Sequence, residues 1–180
     1  MLSLSNPQDI FLNGLNTKYR AYVGGFGSGK TFIGCLDLLI FFSKHPGTVQ
    51  GYFGPTYPAI RDIFFPTFEE AAELMGFTCD IKESNKEVHI YRNGKFYGTV
   101  ICRSMDNPSS IVGFKISRAL VDEIDVLKAK KAEDAWNKIV ARALNLFITS
   151  LPMTRQNHTQ WCRLPLMKTL NTCRLITYRH

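Results

Sequence analysis

Hydrophobic positions along the chain fall into short runs punctuated by glycine and proline, and the runs switch between strand and helix spacing. Phe11 and Leu12 mark a short helix after Asn6-Pro7. Residues 20–23 (RAYV) are rich in β-forming side chains and predict a buried strand. Residues 31–43 are apolar nearly all round, which predicts a helix buried on most sides and stopped by Pro46-Gly47. Residues 48–53 (TVQGYF) read as a second core strand, broken by Gly54-Pro55. Residues 57–65 predict a helical turn or two ended by Pro66. Thr67-x-x-Glu70 has capping-box spacing and Gly76 suits a C-cap, so a separate short helix is expected over residues 68–75.

Strand patterning then takes over. Residues 77–81 are strand-like, and residues 87–92 (EVHIYR) alternate with period two. Asn93-Gly94 is a strong hairpin signal, and residues 95–103 supply the returning strand. Residues 105–112 predict a loop with a helical turn at Pro108-Ser109-Ser110. Residues 116–121 form an apolar strand. Ala132, Ala135, Trp136, Ile139, Val140, Ala143 and Leu144 share one face of an amphipathic helix expected over residues 132–144, with Lys128, Lys130 and Lys131 in an exposed loop before it.

The chemistry lies at the end of the first strand. Residues 24–31 read GGFGSGKT and fit G-x-x-x-x-G-K-[ST], placed between a strand and a helix. Gly24, Gly25, Gly27 and Gly29 let the backbone turn its N–H groups inward around Phe26 and Ser28, forming an anion nest. The helix N-terminus adds to it a partial positive charge. In such a loop Lys30 reaches the β- and γ-phosphates of ATP and the Thr31 hydroxyl ligates Mg²⁺. A glycine-rich turn opening a core helix is the alternative.

About ninety residues downstream, the strand ISRALV runs into Asp122-Glu123-Ile124-Asp125. Ligands in open α/β sheets bind beyond the carboxyl ends of strands, where Asp122 and Glu123 fall. Asp122 suits a Mg²⁺ position beside Thr31, and Glu123 suits a general base acting on water.

Composition adds two constraints. Hydrophobic residues make up 45% and charged residues 21%, an ordinary globular balance. No run is long enough for a membrane span, no basic leader is visible, and five cysteines without a C-x-x-C fit a reducing cytoplasm. The net charge of +7 is uneven: all 15 acidic residues lie in residues 1–142, whereas residues 143–180 hold five basic residues and no acidic one. The basic balance is therefore mostly a property of the tail, not of a nucleic-acid-binding face.

Four stretches together resemble a family: the glycine loop, FGPTYPAIRD (residues 53–62), MDNPSSIVGFK (residues 105–115) and RALVDEID (residues 118–125). Over residues 6–142 the chain is similar to the large terminase subunit of tailed bacteriophages. The resemblance implies an α/β P-loop NTPase of the additional-strand (ASCE) type, with a mainly parallel sheet flanked by helices and a small antiparallel hairpin insert. It also implies ATP hydrolysis driving double-stranded DNA into procapsids, gripped by its phosphates. The implied partners are a portal protein, a small terminase subunit and further copies in a ring. The implied setting is the host bacterial cytoplasm.

Gln8 stands where the family contacts adenine, although a surface glutamine near a terminus is the alternative. Phe26 stands where related loops often carry an arginine finger. That leaves Arg61, Arg103, Arg118, Arg142 and, less suitably, Lys115 as candidates, or a residue from a neighbouring subunit.

Beyond residue 142 the resemblance, the acidic residues and the helical period stop together. The expected domain is residues 1–142, followed by an atypical basic tail over residues 143–180. The tail is expected to be out of frame or disordered, without the coupling strand or nuclease carboxylates of a large terminase. Among His158, Cys162, Cys173 and His180 the spacing fits no common zinc site. Two other readings stay open: a nucleotide-binding remnant without turnover, and a helicase-type ASCE motor.

Overall fold

The computed structural model describes residues 4–13, 19–25, 27–150 and 174–177. Phe26, His158, Cys162, Cys173 and His180 lie outside the described residues. Helix α1 (Asn6–Asn13) leads to strand β1 (Tyr19–Val23), the glycine loop, α2 (Lys30–Lys44) and β2 (Thr48–Gly54). A helical run follows: α3 (Tyr57–Ala59), a π-helical segment (Ile60–Phe64) and α4 (Phe65–Leu74). Then come β3 (Thr78–Lys82), β4 (Glu87–Arg92), β5 (Lys95–Ser104) and β6 (Ile116–Asp122). Helix α5 (Ala129–Val140), β7 (Ala143–Ser150) and β8 (Arg174–Thr177) complete the described elements.

The strands form one sheet in the order β3-β4-β5-β2-β6-β7-β1-β8. Pairing is parallel from β5 across to β8 and antiparallel in the β3-β4-β5 insert. The insert turns at Asn93 and Gly94, with φ of 51° and 73°, as the hairpin signal required.

Strand alternation sorts side chains between two cores. Tyr22, Tyr52, Val100, Cys102 and Leu120 face the layer of α2 and α4, while Ala21, Phe53, Ala119 and Val121 pack with Trp136 and Ile139 of α5. At Gly34 a Cβ would lie 2.7 Å from the Leu120 side chain, so α2 rides close on β6. That close approach sets the start of α2 beside the end of β6.

A buried charge cluster ties the same layers together away from the cleft. Asp37, in the middle of α2, accepts from Arg20 Nη2 at 2.5 Å and from Arg118 Nη1 at 2.7 and 2.8 Å. Arg20 also donates to the Phe11 carbonyl, and the Arg118 guanidinium lies 4.5 Å from the Phe41 ring centroid.

Three sequence expectations are corrected. No separate capped helix begins at Thr67. The run from residue 57 to 74 is continuous, opened by the Thr56 hydroxyl accepting from the Ala59 N–H at 3.3 Å. Pro66 does not stop it: it stands in the first turn of α4, directly after the π segment, where a proline ring is tolerated. Beside it, Phe65 N–H reaches back to the Ile60 carbonyl and the Thr67 hydroxyl donates to the Ile63 carbonyl at 2.6 Å.

Helix α5 starts earlier and ends earlier than expected, so Lys130 and Lys131 lie in its first turn and Leu144 lies in a strand. The third concerns the first residues after Arg142. Ala143–Ser150 is β7, paired in parallel with β6 on one side and β1 on the other. It is a strand following β6, where the composition of the tail predicts none.

Candidate functional site

The glycine loop leaves β1 at the carboxyl end of the sheet. Gly27 and Gly29 both have φ of 73°, a left-handed conformation that side chains with a Cβ rarely adopt. Ser28 closes the loop on itself, its N–H and hydroxyl both reaching the Gly25 carbonyl, at 3.3 and 2.8 Å. The Lys30 ammonium donates to the same carbonyl at 2.9 Å. Gly29 occupies the N-cap of α2 with no side chain capping it, so the first-turn amides are left for a ligand.

The second half of the site arrives on β6. Arg118, Leu120 and Asp122 alternate onto the α2 face of that strand, and Asp122 reaches the helix start. The Thr31 hydroxyl donates to Asp122 Oδ2 at 2.8 Å across 91 residues of sequence. The buried Tyr52 hydroxyl donates to the same oxygen at 3.1 Å. Burial, and next the Asp122 carboxylate, push the Tyr52 phenol well above its ordinary pKa, so its hydroxyl keeps its proton. Glu123 follows in the left-handed region, with φ of 51° and ψ of 42°. This is a strained setting for a side chain and a common one at functional positions. Burial raises the Glu123 carboxyl above its usual value; Asp122 and Asp125 add to the rise and Lys30 opposes it.

Lys30, Thr31, Gly27, Gly29 and Glu123 share a cleft of about 470 Å³ with Phe32, Thr67 and Glu70. Gln8 sits behind the loop, its Nε2 donating to the Ser28 carbonyl at 3.4 Å and its Oε1 accepting from Ser5 N–H at 2.8 Å. A larger cleft, of about 740 Å³, lies near the opposite end of β6 and β7 around Phe114, Lys115 and Arg142, away from the acidic pair.

None of the candidate finger arginines lines the 470 Å³ cleft among the described residues. Arg118 is committed to Asp37, Arg61 to Asp62, Arg103 to the carbonyls of Lys86 and Cys102, and Arg142 to the Lys138 carbonyl. Sequence reasoning misses Tyr52, Thr67 and Glu70. Thr67 and Glu70 have the i, i+3 spacing of a shared helix face, a signal that capping also explains. It also misses that Thr149 of β7 lies in register with Asp122 and Tyr22.

A glycine loop between strand and helix, an acidic strand end two places along the sheet, and one strand inserted between them define a P-loop NTPase of the additional-strand type. The family model described as terminase large subunit, T4likevirus-type, N-terminal matches residues 21–160, and the chain belongs to that family. A search of curated protein sequences gives no match.

Among solved structures the chain is similar to the large terminase of a thermophilic bacteriophage, at 14% identity and a TM-score of 0.79 over 98% of this chain. It spans 46% of that protein's length. The same terminase is known in complex with ADP and with ATP-γ-S. The Thermus phage P74-26 large terminase ATPase domain matches at 16% identity and a TM-score of 0.64, over 87% of this chain and 68% of that one. The Phi-28 gp11 DNA packaging motor matches at 12% identity and a TM-score of 0.56, over 96% of this chain and 59% of that one. No helix among the described residues is long and apolar enough to cross a membrane.

Proposed function

We propose that the chain carries the ATPase unit of a phage or prophage large terminase, hydrolysing ATP to drive double-stranded DNA into a procapsid. One observation carries this reading: the contact between Thr31 and Asp122 joins two motifs 91 residues apart at a cleft that also holds Lys30 and Glu123.

The donor set suits Mg²⁺, since a hydroxyl and a carboxylate offer hard oxygens within 2.8 Å of each other. Thr31 and Asp122 would hold the ion, which when bound neutralises charge on the β- and γ-phosphates. The glycine cradle from Gly24 to Gly29, with Ser28 and the α2 N-terminus, receives the phosphate oxygens. Lys30 moves from the Gly25 carbonyl to the phosphates. Glu123 accepts a hydrogen bond from the attacking water and aligns it with the γ-phosphorus, with no covalent intermediate. Gln8, tied to the loop through Ser28, is assigned to the adenine edge. The loop's third position, Phe26, offers no guanidinium, so a finger comes from a neighbouring copy in a homo-oligomeric ring. Portal protein and small terminase subunit are the remaining partners, in the host bacterial cytoplasm.

The test compares the wild-type chain with Lys30→Ala. Wild type is expected to release phosphate from ATP in a Mg²⁺-dependent way. Lys30→Ala is expected to lose about 100-fold or more in turnover, because a fixed charge on the transferred group is removed. Its thermal midpoint should stay close to wild type. Equal turnover in the two proteins would refute the assignment.

A further inference from the structure

We propose that Tyr52 is a positioning residue of the nucleotide site: its hydroxyl fixes the Asp122 carboxylate from behind, and its ring links that carboxylate to the helical wall bearing Thr67 and Glu70. The inference rests on the reading of the cleft as a Mg²⁺-nucleotide site.

Tyr52 sits on β2 in register with Leu120 of β6, two residues before Asp122 and on the same face of the sheet. Its side chain is 1% exposed. Buried phenols need a partner for the hydroxyl, and here the partner is Asp122 Oδ2, at 3.1 Å. That oxygen also accepts from Thr31 at 2.8 Å, so two donors from different elements converge on one atom. The carboxylate is therefore gripped from α2 and from β2 together.

The ring that carries the hydroxyl is itself held. It stacks on Phe64 with centroids 3.6 Å apart and planes 11° from parallel. Phe64 closes the π segment, so its place depends on the extra residue in that turn. It packs in turn on Phe68 of α4 at 5.2 Å. Thr67 and Glu70, flanking Phe68 on the same helix, line the cleft. A continuous chain of contacts thus runs from Asp122 through Tyr52, Phe64 and Phe68 to the wall opposite the glycine loop. Shifting the π segment shifts the ring that sets the carboxylate.

The test titrates Mg²⁺ into the full chain with N-methylanthraniloyl-ATP and reads fluorescence, alongside binding of the same probe in EDTA. Tyr52→Phe keeps the ring and removes the hydroxyl. It is expected to raise the Mg²⁺ concentration at half-maximal signal about 10-fold, the size usual for loss of a partner behind a metal ligand, with EDTA binding unchanged. Phe64→Leu keeps the hydroxyl but loosens the ring, and a shift of about threefold is expected. Each variant reads the link through a different contact, so the test stands if either one folds.

A Mg²⁺ midpoint equal to wild type overturns the proposal, even if the thermal midpoint falls, because that pattern belongs to a packing role alone. A wild-type chain that binds the probe with no Mg²⁺ dependence overturns the reading of the cleft and this inference with it. A Mg²⁺-dependent wild type with an unshifted Tyr52→Phe removes only the role of Tyr52.

Discussion

Glu123→Gln is expected to abolish steady-state ATP turnover while leaving ATP bound. Glutamine preserves the shape at residue 123, including its place in the left-handed turn after β6. It loses the carboxylate that accepts from water, and general-base groups of this kind are worth about 10²–10⁴ in rate. The cradle, Lys30 and the pair of Thr31 with Asp122 are untouched, so affinity should hold. The measurement pairs phosphate release with nucleotide binding on the same preparation. Loss of both would mean that Glu123 holds the nucleotide rather than the water. Full retention of turnover would pass the role to Glu70, the other carboxylate on the cleft wall.

Asp37→Ala is expected to be the most destabilising single change in the core. Asp37 is 2% exposed and accepts from Arg20 and Arg118 together. The Arg118 Nε is already buried with no acceptor among the described residues. Alanine would leave two guanidinium groups facing each other in the layer between α2 and the sheet. Stranding one partner of a buried ion pair typically costs about 3–5 kcal/mol. Urea denaturation followed by circular dichroism measures it. A loss below about 1 kcal/mol would show that water or a side-chain swing relieves the arginines.

Much of the candidate nucleotide site is legible because it is local. The spacing of Gly24 to Thr31 forces a loop, and the run into Asp122 forces a strand end, so each half follows from a few consecutive residues. Their contact follows once a parallel sheet is assumed, since both lie at carboxyl ends of strands. What stays hidden acts across the sheet or through irregular backbone. Tyr52 meets Asp122 over 70 residues, and nothing near it in sequence announces the contact. The π segment is invisible because Pro66 reads as a terminator, whereas in the structure it stands in the first turn of the helix that follows. Arg118 looks available for catalysis. Alternation along β6 instead turns it onto Asp37, four residues before the acidic strand end.

The tail departs from expectation for a different reason. The loss of acidic residues after residue 142 is a fact of composition, and composition does not mark a break in the fold. ALNLFITS is an ordinary strand sequence, and an additional-strand fold needs one at that place. The fold class itself calls for a strand after β6, and the composition of the tail does not announce it.

β7 is the keystone between the two halves of the candidate nucleotide site. The loop-bearing strand and the acid-bearing strand never touch in the ladder; each is hydrogen-bonded to β7 instead. Through β7 the strand ends that lead to Lys30 and Glu123 share one ladder, which adds to the direct packing of α2 on β6. A chain interrupted just before Ala143 would keep every motif but lose the ladder that joins their strands, leaving the packing of α2 on β6 to hold them together.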